Sequence, residues 1–202
     1  MYVHLRNHSH YSLLKALPKI DEMVKMASTL GYKALALTDY NNMYGAIEFY
    51  KSCKKVGIKP IIGVEFSVRF NERIFQLVVL ANNFLGYKNL MHITSIINLE
   101  NPLSPILNDE TLLKYKEGLT ILSGGVQGEI NNLLLVNKEE ALSRLTFYKN
   151  NFGDNFYLEL NPQDSLGHSS ELRSKTIECA RNTDTPLIAT WNTHYLYNED
   201  KN

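Results

Sequence analysis

The stretch Ala34-Leu-Ala-Leu-Thr-Asp-Tyr-Asn-Asn-Met43 begins with four apolar residues and ends in a polar run. A short apolar run bounded by turn-forming residues is typical of a buried β-strand, so Ala34–Leu37 is predicted to be one. An amphipathic helix is predicted before it at Asp21–Leu30, and a second helix is predicted around Met43–Val56. Helix, strand and helix in succession indicate an α/β protein.

The same alternation of strands and helices continues along the rest of the chain. Because parallel strands need long crossover connections, it favours a parallel α/β sheet of about seven strands. That count indicates a barrel-like sheet, although an open doubly wound sheet fits almost as well. The predicted strands are Tyr2–Leu5, Ala34–Leu37, Pro60–Val64, Phe66–Phe70, Phe75–Ala81, Leu119–Ser123, Phe156–Leu160 and Leu187–Thr190. The remaining predicted helices are Leu85–Ile97, Glu129–Val136, Glu139–Asn150 and Glu171–Asn182.

Length and charge limit the possible classes of protein. The 202 residues suffice for one domain with a substantial core or for two small ones. Pro102 and Pro105 mark the best internal joint, but no repeat or linker is present, so residues 1–202 are expected to form one domain. Lys plus Arg and Asp plus Glu both number 21, which argues against a stand-alone DNA-binding protein with a basic face.

The ends and cysteines of the chain bear on its compartment. The segment Met1-Tyr-Val-His-Leu-Arg6 lacks the apolar core of a signal peptide, and no apolar run approaches the roughly 18 residues of a membrane span. A cytoplasmic protein is therefore expected. In that compartment Cys53 and Cys179 are expected to be reduced core residues rather than a disulfide.

Side chains at the C-terminal ends of barrel strands point into a shared active site. His8, Asp39, Glu65 and His194 follow or end four of the predicted strands and are candidates to converge there. Such a set of histidines and carboxylates suits Zn, Mn or Fe. Structural roles compete with this interpretation, because strand-end histidines are commonly hydrogen-bonded and Asp39 suits a helix N-cap or a turn. Glu65 lies in an apolar run, where a buried carboxylate needs a partner.

Several blocks of the sequence resemble, in the same order, the N-terminal PHP (polymerase and histidinol phosphatase) domain of bacterial DNA polymerase III alpha subunits. Val3-His-Leu-Arg-Asn-His-Ser-His-Tyr-Ser-Leu-Leu14 resembles a V-H-L-H-x-H-S-x-Y-S-L-L-D motif, and Ala34–Met43 resembles A-L-A-L-T-D-H-x-N-M. The resemblance runs in register from residue 2 to residue 197. Its other blocks are Gly45–Tyr50, Gly57–Glu65, Leu122–Glu129, Phe156–Leu160 and Ala189–Leu196.

The resemblance implies a PHP fold, which is a distorted (β/α)7-like barrel. In active members of the family a cluster of His, Asp, Glu and Cys ligands holds metal ions for phosphoester hydrolysis, as a 3′–5′ exonuclease or a phosphatase. Aligned with those motifs, this chain keeps three ligands, His8, Glu65 and His194. The other ligand positions carry Arg6, Lys15, Tyr40, Gln76, Gly125 and Asn192.

These replacements argue against a bound metal. Arg6 and Lys15 place fixed cations where a divalent ion would lie, and neither offers a lone pair. We expect one of them to pair with Glu65 in a metal-free core, with no catalytic residue and no cofactor. Zn or Mn is expected only if a vestigial site of His8, Glu65 and His194 is occupied. A phosphate bound by Arg6 and Lys15 is a further possibility.

Some alpha subunits with this kind of degeneration leave proofreading to a separate exonuclease subunit, epsilon, which docks on the PHP domain. The resemblance therefore implies a scaffold role in an N-terminal fragment of a DNA-directed DNA polymerase, a nucleotidyltransferase. Expected partners are the remaining domains of the alpha subunit, epsilon, and DNA through the parent polymerase. Tyr44, Phe84 and Tyr87 are candidates for the docking surface, although the same residues suit the core equally well. Two alternatives remain: a residual metal-dependent phosphoesterase (a pyrophosphatase or 3′–5′ exonuclease) and a stand-alone PHP-like protein.

Overall fold

The computed structural model describes residues 2–162 and 169–201 as a mixed α/β structure. Its strands are β1 (Ala34–Leu37), β2 (Lys59–Phe70), β3 (Arg73–Ala81), β4 (Leu119–Leu122), β5 (Phe156–Leu160) and β6 (Leu187–Ala189). Its helices are α1 (Ile20–Thr29), α2 (Ala46–Lys55), α3 (Phe84–Glu100), α4 (Asp109–Lys114), α5 (Glu129–Val136), α6 (Lys138–Phe152) and α7 (Ser169–Thr183). Short 3₁₀ turns span Gly125–Gln127, Gly153–Asn155 and Asn198–Lys201.

One curled, six-stranded sheet runs in the order β1 to β6 and forms a half-barrel. The predicted α/β, barrel-like fold is confirmed. The prediction of a parallel sheet is wrong at β3, which runs antiparallel to both β2 and β4, whereas the other three pairings are parallel. The reason is local: Asn71 and Glu72 have positive φ angles of 45° and 62°, so a tight turn reverses the chain after β2.

The N-terminal segment closes part of the gap between the first and last strands. The predicted strand Tyr2–Leu5 is wrong as a regular strand, because only isolated bridges form here. His4 bridges to β1, and Asn7 bridges to the chain just beyond β6. The segment is thereby attached to both edges of the sheet, and it carries Arg6 between these two bridges.

Other differences from prediction concern element boundaries. Pro60–Val64 and Phe66–Phe70 belong to one strand, because Glu65 continues the ladder opposite Val78. The predicted helix Met43–Val56 begins three residues later, at Ala46. The six-residue α4 was not predicted, since so short a helix shows no clear periodicity. The helix predicted to end at Ile97 continues three residues further, to Glu100, and the remaining ends shift by at most two residues, which is usual for helix and strand ends.

Apolar side chains cover both faces of the sheet. The larger cluster packs β2 and β3 against α3, α5 and α6, with Phe66 and Leu90 fully buried. A smaller cluster containing Val78 and Leu122 lies on the opposite face. Each such side chain contributes about 1.5–3 kcal/mol to stability. The polar residues of the candidate site lie near this smaller cluster, around Glu65 of β2.

The cysteines and helices agree with the expectations for a globular chain. Cys53 and Cys179 are both buried and free, as predicted, and they belong to different apolar clusters. Within the described residues, no helix combines the length and the apolar character that crossing a membrane requires.

Candidate functional site

Arg6 lies at the centre of the candidate site with a fully buried side chain. Its backbone is fixed by the pairing of the N-terminal segment with the sheet. The Thr193 N–H donates to the Arg6 carbonyl at 3.3 Å, and the side-chain amide of Asn7 donates to the Ala36 carbonyl at 3.0 Å. The guanidinium is therefore directed inward, toward β2 and β5, by hydrogen bonds that hold the segment on both sides.

Every N–H of the Arg6 guanidinium has an acceptor. Nε and Nη2 donate to the two carboxylate oxygens of Glu65, at 2.6 and 2.7 Å. Nη1 donates to the Gly124 carbonyl at 3.0 Å and to Glu159 Oε1 at 3.3 Å. Nη2 also donates to Gln127 Oε1 at 2.7 Å. Arginine has five N–H donors, so this side chain has none left for another ligand.

The predicted ion pair with Glu65 is confirmed, and Arg6 rather than Lys15 makes it. Burial by itself raises the pKa of Glu65, but the Arg6 charge and hydrogen bonds from His8 and Arg6 lower that pKa to about 2. Burial by itself lowers the pKa of Arg6, but the charges of Glu65 and Glu159 raise it. Both groups are therefore ionised at neutral pH, and each supplies the countercharge that burial of the other requires.

His8 packs against the same carboxylate. Its Nε2 lies 3.0 Å from Glu65 Oε2, and its Nδ1 lies 3.1 Å from the Thr193 carbonyl oxygen. Its ring stacks on Tyr40 with a centroid separation of 4.4 Å and an interplanar angle of 9°. Because both ring nitrogens already face oxygen atoms, a metal ion would have to displace one of these contacts.

Tyr40, Lys15 and His194 lie beside His8. The Lys15 ammonium lies 4.1 Å from the centre of the Tyr40 ring, and the Tyr40 hydroxyl lies 3.2 Å from His194 Nε2. The pKa of Tyr40 is raised, mainly by burial and secondarily by the charge of Glu65. The pKa of His194 is lowered to about 4, mainly by burial and secondarily by the nearby His8. His194 is therefore neutral at pH 7, and Lys15 contacts an aromatic ring rather than Glu65.

Glu159 is a member of the site that the sequence analysis missed. It is fully buried in β5 and accepts hydrogen bonds from Gly124 N at 3.0 Å and from Asn161 Nδ2 at 3.4 Å. The Thr190 hydroxyl is a further donor. The sequence feature that could have identified Glu159 is a carboxylate within the apolar run Phe156–Leu160. Glu65 was chosen as a candidate because it lies in an apolar run of the same kind. Glu159 gives Arg6 its second carboxylate partner.

Three further positions that the resemblance aligns with metal ligands, Gly125, Asn192 and Gln76, carry no carboxylate, imidazole or thiol. Gly125 has a φ of +55°, and a Cβ built there would lie 1.7 Å from Asn161 Oδ1, so any side chain at this position would have to displace the Asn161 amide. Asn192 donates to Gln127 Oε1 at 3.1 Å. Gln76 Oε1 and Asn192 Oδ1 are buried without a hydrogen-bond partner. These positions thus present neutral amide side chains and a glycine.

Asp39 has a structural role. Its carboxylate accepts hydrogen bonds from the backbone N–H of Ser9 at 2.7 Å and from the hydroxyls of Ser9 and Ser12 at 2.8 and 2.6 Å. It holds the loop that follows the N-terminal segment and, contrary to one expectation, does not join Glu65 as a ligand.

The donor set does not fit a divalent metal ion. The described residues contain no group of three His, Cys, Asp or Glu side chains arranged to hold one. His8 forms a hydrogen bond with Glu65, whereas His194 forms one with the Tyr40 hydroxyl. The Arg6 guanidinium takes both oxygens of Glu65 and would repel a cation. A phosphate bound jointly by Arg6 and Lys15 is not supported either, because the donors of Arg6 are all used.

A second ionic cluster lies away from this site. Arg144 of α6 forms ion pairs with Glu129 of α5 and, at 2.7 Å, with Asp109 of α4. Its guanidinium also packs over the Tyr148 ring, with 5.2 Å to the ring centroid. The cluster joins three helices and takes no part in the site around Arg6.

The model of the PHP domain family matches residues 4–163 of the chain. The chain belongs to the PHP domain family. This PHP domain is 37% identical to the DNA polymerase III subunit alpha of Borreliella burgdorferi, over 98% of this chain and 18% of that protein. It is also 37% identical to the same subunit of Bacillus subtilis, over 99% of this chain and 18% of that protein. For Vibrio cholerae the identity is 35%, over 94% of this chain and 17% of that protein.

Solved structures resemble the PHP domain in fold. An amidohydrolase from Chromobacterium violaceum, with bound sulfate and no metal, has a TM-score of 0.65 and 15% identity over 99% of this chain and 89% of that chain. A two-domain protein from Bacteroides vulgatus, containing a predicted PHP-like metal-dependent phosphoesterase, has a TM-score of 0.58 and 14% identity over 96% of this chain and 52% of that chain. At such identities the likeness concerns the fold alone.

Proposed function

We propose that this PHP domain is a structural and docking module of a DNA polymerase III alpha subunit and does not hydrolyse phosphoesters. The observation that carries the proposal is the buried Arg6, whose guanidinium lies between Glu65 and Glu159 and uses every donor it has. Its permanent positive charge takes the place of the metal charge between the two carboxylates. The cluster then stabilises the domain rather than activating water.

Similarity to alpha subunits supports the wider part of the proposal. The chain spans less than a fifth of the length of the relatives that it matches. We infer that its partners are the remaining domains of the alpha subunit and the epsilon exonuclease, that it meets DNA through the parent polymerase, and that it acts in the cytoplasm. The polymerase activity belongs to the parent chain and not to these residues.

Metal analysis tests the absence of hydrolytic function. The protein is purified without chelator, and its Zn, Mn and Fe contents are measured by mass spectrometry alongside phosphoester hydrolysis with added Mn²⁺ or Zn²⁺. We expect well under one metal ion per chain, no turnover, and no rise in melting temperature with metal, because only a bound ligand stabilises the folded state. One metal per chain together with turnover lost in Glu65→Gln would establish the alternative, a residual phosphoesterase using His8, Glu65 and His194.

A titration with epsilon tests the docking role. Binding of the purified exonuclease subunit to the PHP domain is followed by calorimetry, with and without chelator. We expect a saturable complex whose affinity does not depend on metal. If epsilon does not bind in either condition, the docking part of the proposal is wrong and the structural part still stands.

A further inference from the structure

An open groove lies on the outer wall of the sheet, between α2 and α3. The strands β2 and β3 are joined by a tight turn and not by a crossover helix, so no helix is inserted between them in the chain. The groove is floored by Pro60 and Ile62 of β2 and by Ala81 at the end of β3. Its volume of about 440 Å³ lies within the range of ligand pockets.

Large apolar side chains form the walls of this groove. Ile47 and Tyr50 project from α2, and Phe84 and Tyr87 project from α3. Ile47 is 56% exposed and Phe84 is 69% exposed. Single exposed apolar residues are ordinary, but several that line one concave surface are typical of a surface that binds another molecule.

Lysines flank both walls. The Lys54 ammonium lies 5.6 Å from the centre of the Tyr50 ring, and the Lys88 ammonium lies 4.8 Å from the centre of the Phe84 ring. Lys51 is exposed one helical turn after Ile47. Within residues 2–162 and 169–201, none of these three lysines lies within 4.0 Å of a carboxylate in an ion pair. The rim of the groove therefore carries three lysines that form no short-range ion pair with a carboxylate of the described residues.

We propose that this groove is a docking site for an acidic protein segment that inserts large apolar side chains between α2 and α3. Its carboxylates would face Lys54 and Lys88, while its apolar side chains cover Ile47 and Phe84. Charge complementarity selects the partner, because an uncharged apolar segment would leave the lysines unused and a basic one would be repelled. The inference does not rest on the state of the Arg6 cluster or on the identity of the partner.

Selection from a random 16-residue peptide library displayed on phage tests the proposal. The library is selected against the intact protein, and enriched peptides are synthesised with a fluorescent label for anisotropy titrations. We expect enrichment of sequences that combine Asp or Glu with Leu, Ile, Phe or Trp. The double substitution Ile47→Ser, Phe84→Ser is expected to weaken their binding by roughly tenfold or more, because buried apolar anchors dominate such contacts.

Matched variants control for non-specific effects. The pair Leu99→Ser, Leu103→Ser removes two apolar side chains that are 83% and 98% exposed outside the groove, and it should change affinity by less than about twofold. Lys54→Glu, Lys88→Glu should weaken binding by roughly tenfold or more, whereas Lys25→Glu, Lys33→Glu should not. The proposal is overturned if the enriched peptides are not acidic, or if they bind the groove variants as tightly as the original protein. Neither result would alter the metal analysis that tests the proposed function.

Discussion

Arg6 connects three parts of the chain through its side chain alone. Its five hydrogen bonds reach Glu65 in β2, Gly124 and Gln127 after β4, and Glu159 in β5. A fully buried ion pair adds little stability beyond an apolar replacement of the whole pair, but loss of one partner leaves the other charge buried and unpaired. The site is therefore sensitive to single substitutions and tolerant of paired ones.

Substitution of Arg6 by methionine is expected to destabilise the protein strongly. Arg6→Met leaves Glu65 and Glu159 buried without a cation, so the free energy of unfolding should fall by about 3–5 kcal/mol in urea denaturation. Lys15→Met is the matched control, because Lys15 is exposed and should change stability by about 0.5 kcal/mol or less. An equal change in the free energy of unfolding for the two substitutions would show that the Arg6 cluster does not contribute specifically to stability.

Two side chains of the site make stability depend on pH in different ranges. Glu65 has a pKa of about 2 in the folded protein against an ordinary 4.5, so its stabilisation is complete above pH 4.5 and is lost as the pH falls toward 2. His194 has a pKa of about 4 against an ordinary 6.5, chiefly because of burial. The unfolded chain therefore takes up a proton that folded His194 does not, and stability falls between pH 6.5 and pH 4.

Urea denaturation at closely spaced pH values between 2 and 7.5 measures both effects. His194→Gln should flatten the dependence between pH 4 and pH 6.5 and leave the more acidic range unchanged. A variant that keeps the full slope in the upper range would show that His194 is not its source.

At the scale of elements, the turn after β4 joins the site through its main chain. Gly124 brings its carbonyl to Arg6 and its N–H to Glu159. Gly125 has left-handed φ and lies against Asn161, which is held by hydrogen bonds with Val126 N at 2.9 Å and with the Thr190 carbonyl at 3.1 Å. The turn thus supplies main-chain groups to the cluster, and a side chain at residue 125 would have to displace Asn161.

Gly125→Ala tests this packing against a matched glycine. Gly57 has a similar left-handed φ of +74° but open space around it, so Gly57→Ala carries only the backbone penalty. Gly125→Ala must also displace Asn161 and break its hydrogen bonds, which should cost roughly 1–3 kcal/mol more in the free energy of unfolding. Equal melting temperatures for the two variants would show that Asn161 moves aside freely.

At the scale of the whole molecule, the N-terminal segment joins the first and last strands, and Arg6 anchors it. The backbone N–H groups of Ala36 and Thr38 donate to this segment at 2.9 and 2.8 Å, and His8 N–H donates to the Thr193 carbonyl at 3.1 Å. These bonds hold together parts of the chain that are distant in sequence. Their stability therefore reports on closure of the half-barrel.

Amide hydrogen exchange should detect loss of that closure. In Arg6→Met, the amides of Ala36, Thr38 and His8 are expected to exchange faster, because the segment that they bond to loses its anchor. The amide of Leu145 in α6 should exchange only through global unfolding, so its protection should fall by no more than the loss in the free energy of unfolding. A uniform change at all four amides would mean that the cluster acts on global stability alone.

Much of the fold followed from local patterns. Apolar runs predicted β1, β4 and β5 to within a residue, since a buried strand needs no information from distant parts of the chain. The reversal at Asn71 and Glu72 was missed, because the apolar runs on either side do not show their relative direction. Tyr2–Leu5 does not form a regular strand, because within this range His4 makes a single isolated bridge to β1 and the next bridge, at Asn7, pairs with Thr193 at the other end of the sheet.

For the site, the sequence by itself determined that Glu65 lies in an apolar run, where a buried carboxylate needs a partner, and that Arg6 and Lys15 are the candidate cations. Only the tertiary structure decided that Arg6 is this partner, that Lys15 stacks on Tyr40 instead, and that Glu159 completes the cluster. Residue type fixes charge and hydrogen-bonding capacity, which are properties of the side chain alone. Burial and distance depend on how β2, β5 and the N-terminal segment fold together. Because this folding buries Arg6 and leaves Lys15 exposed, Arg6 is the cation that is removed from water and needs a carboxylate partner.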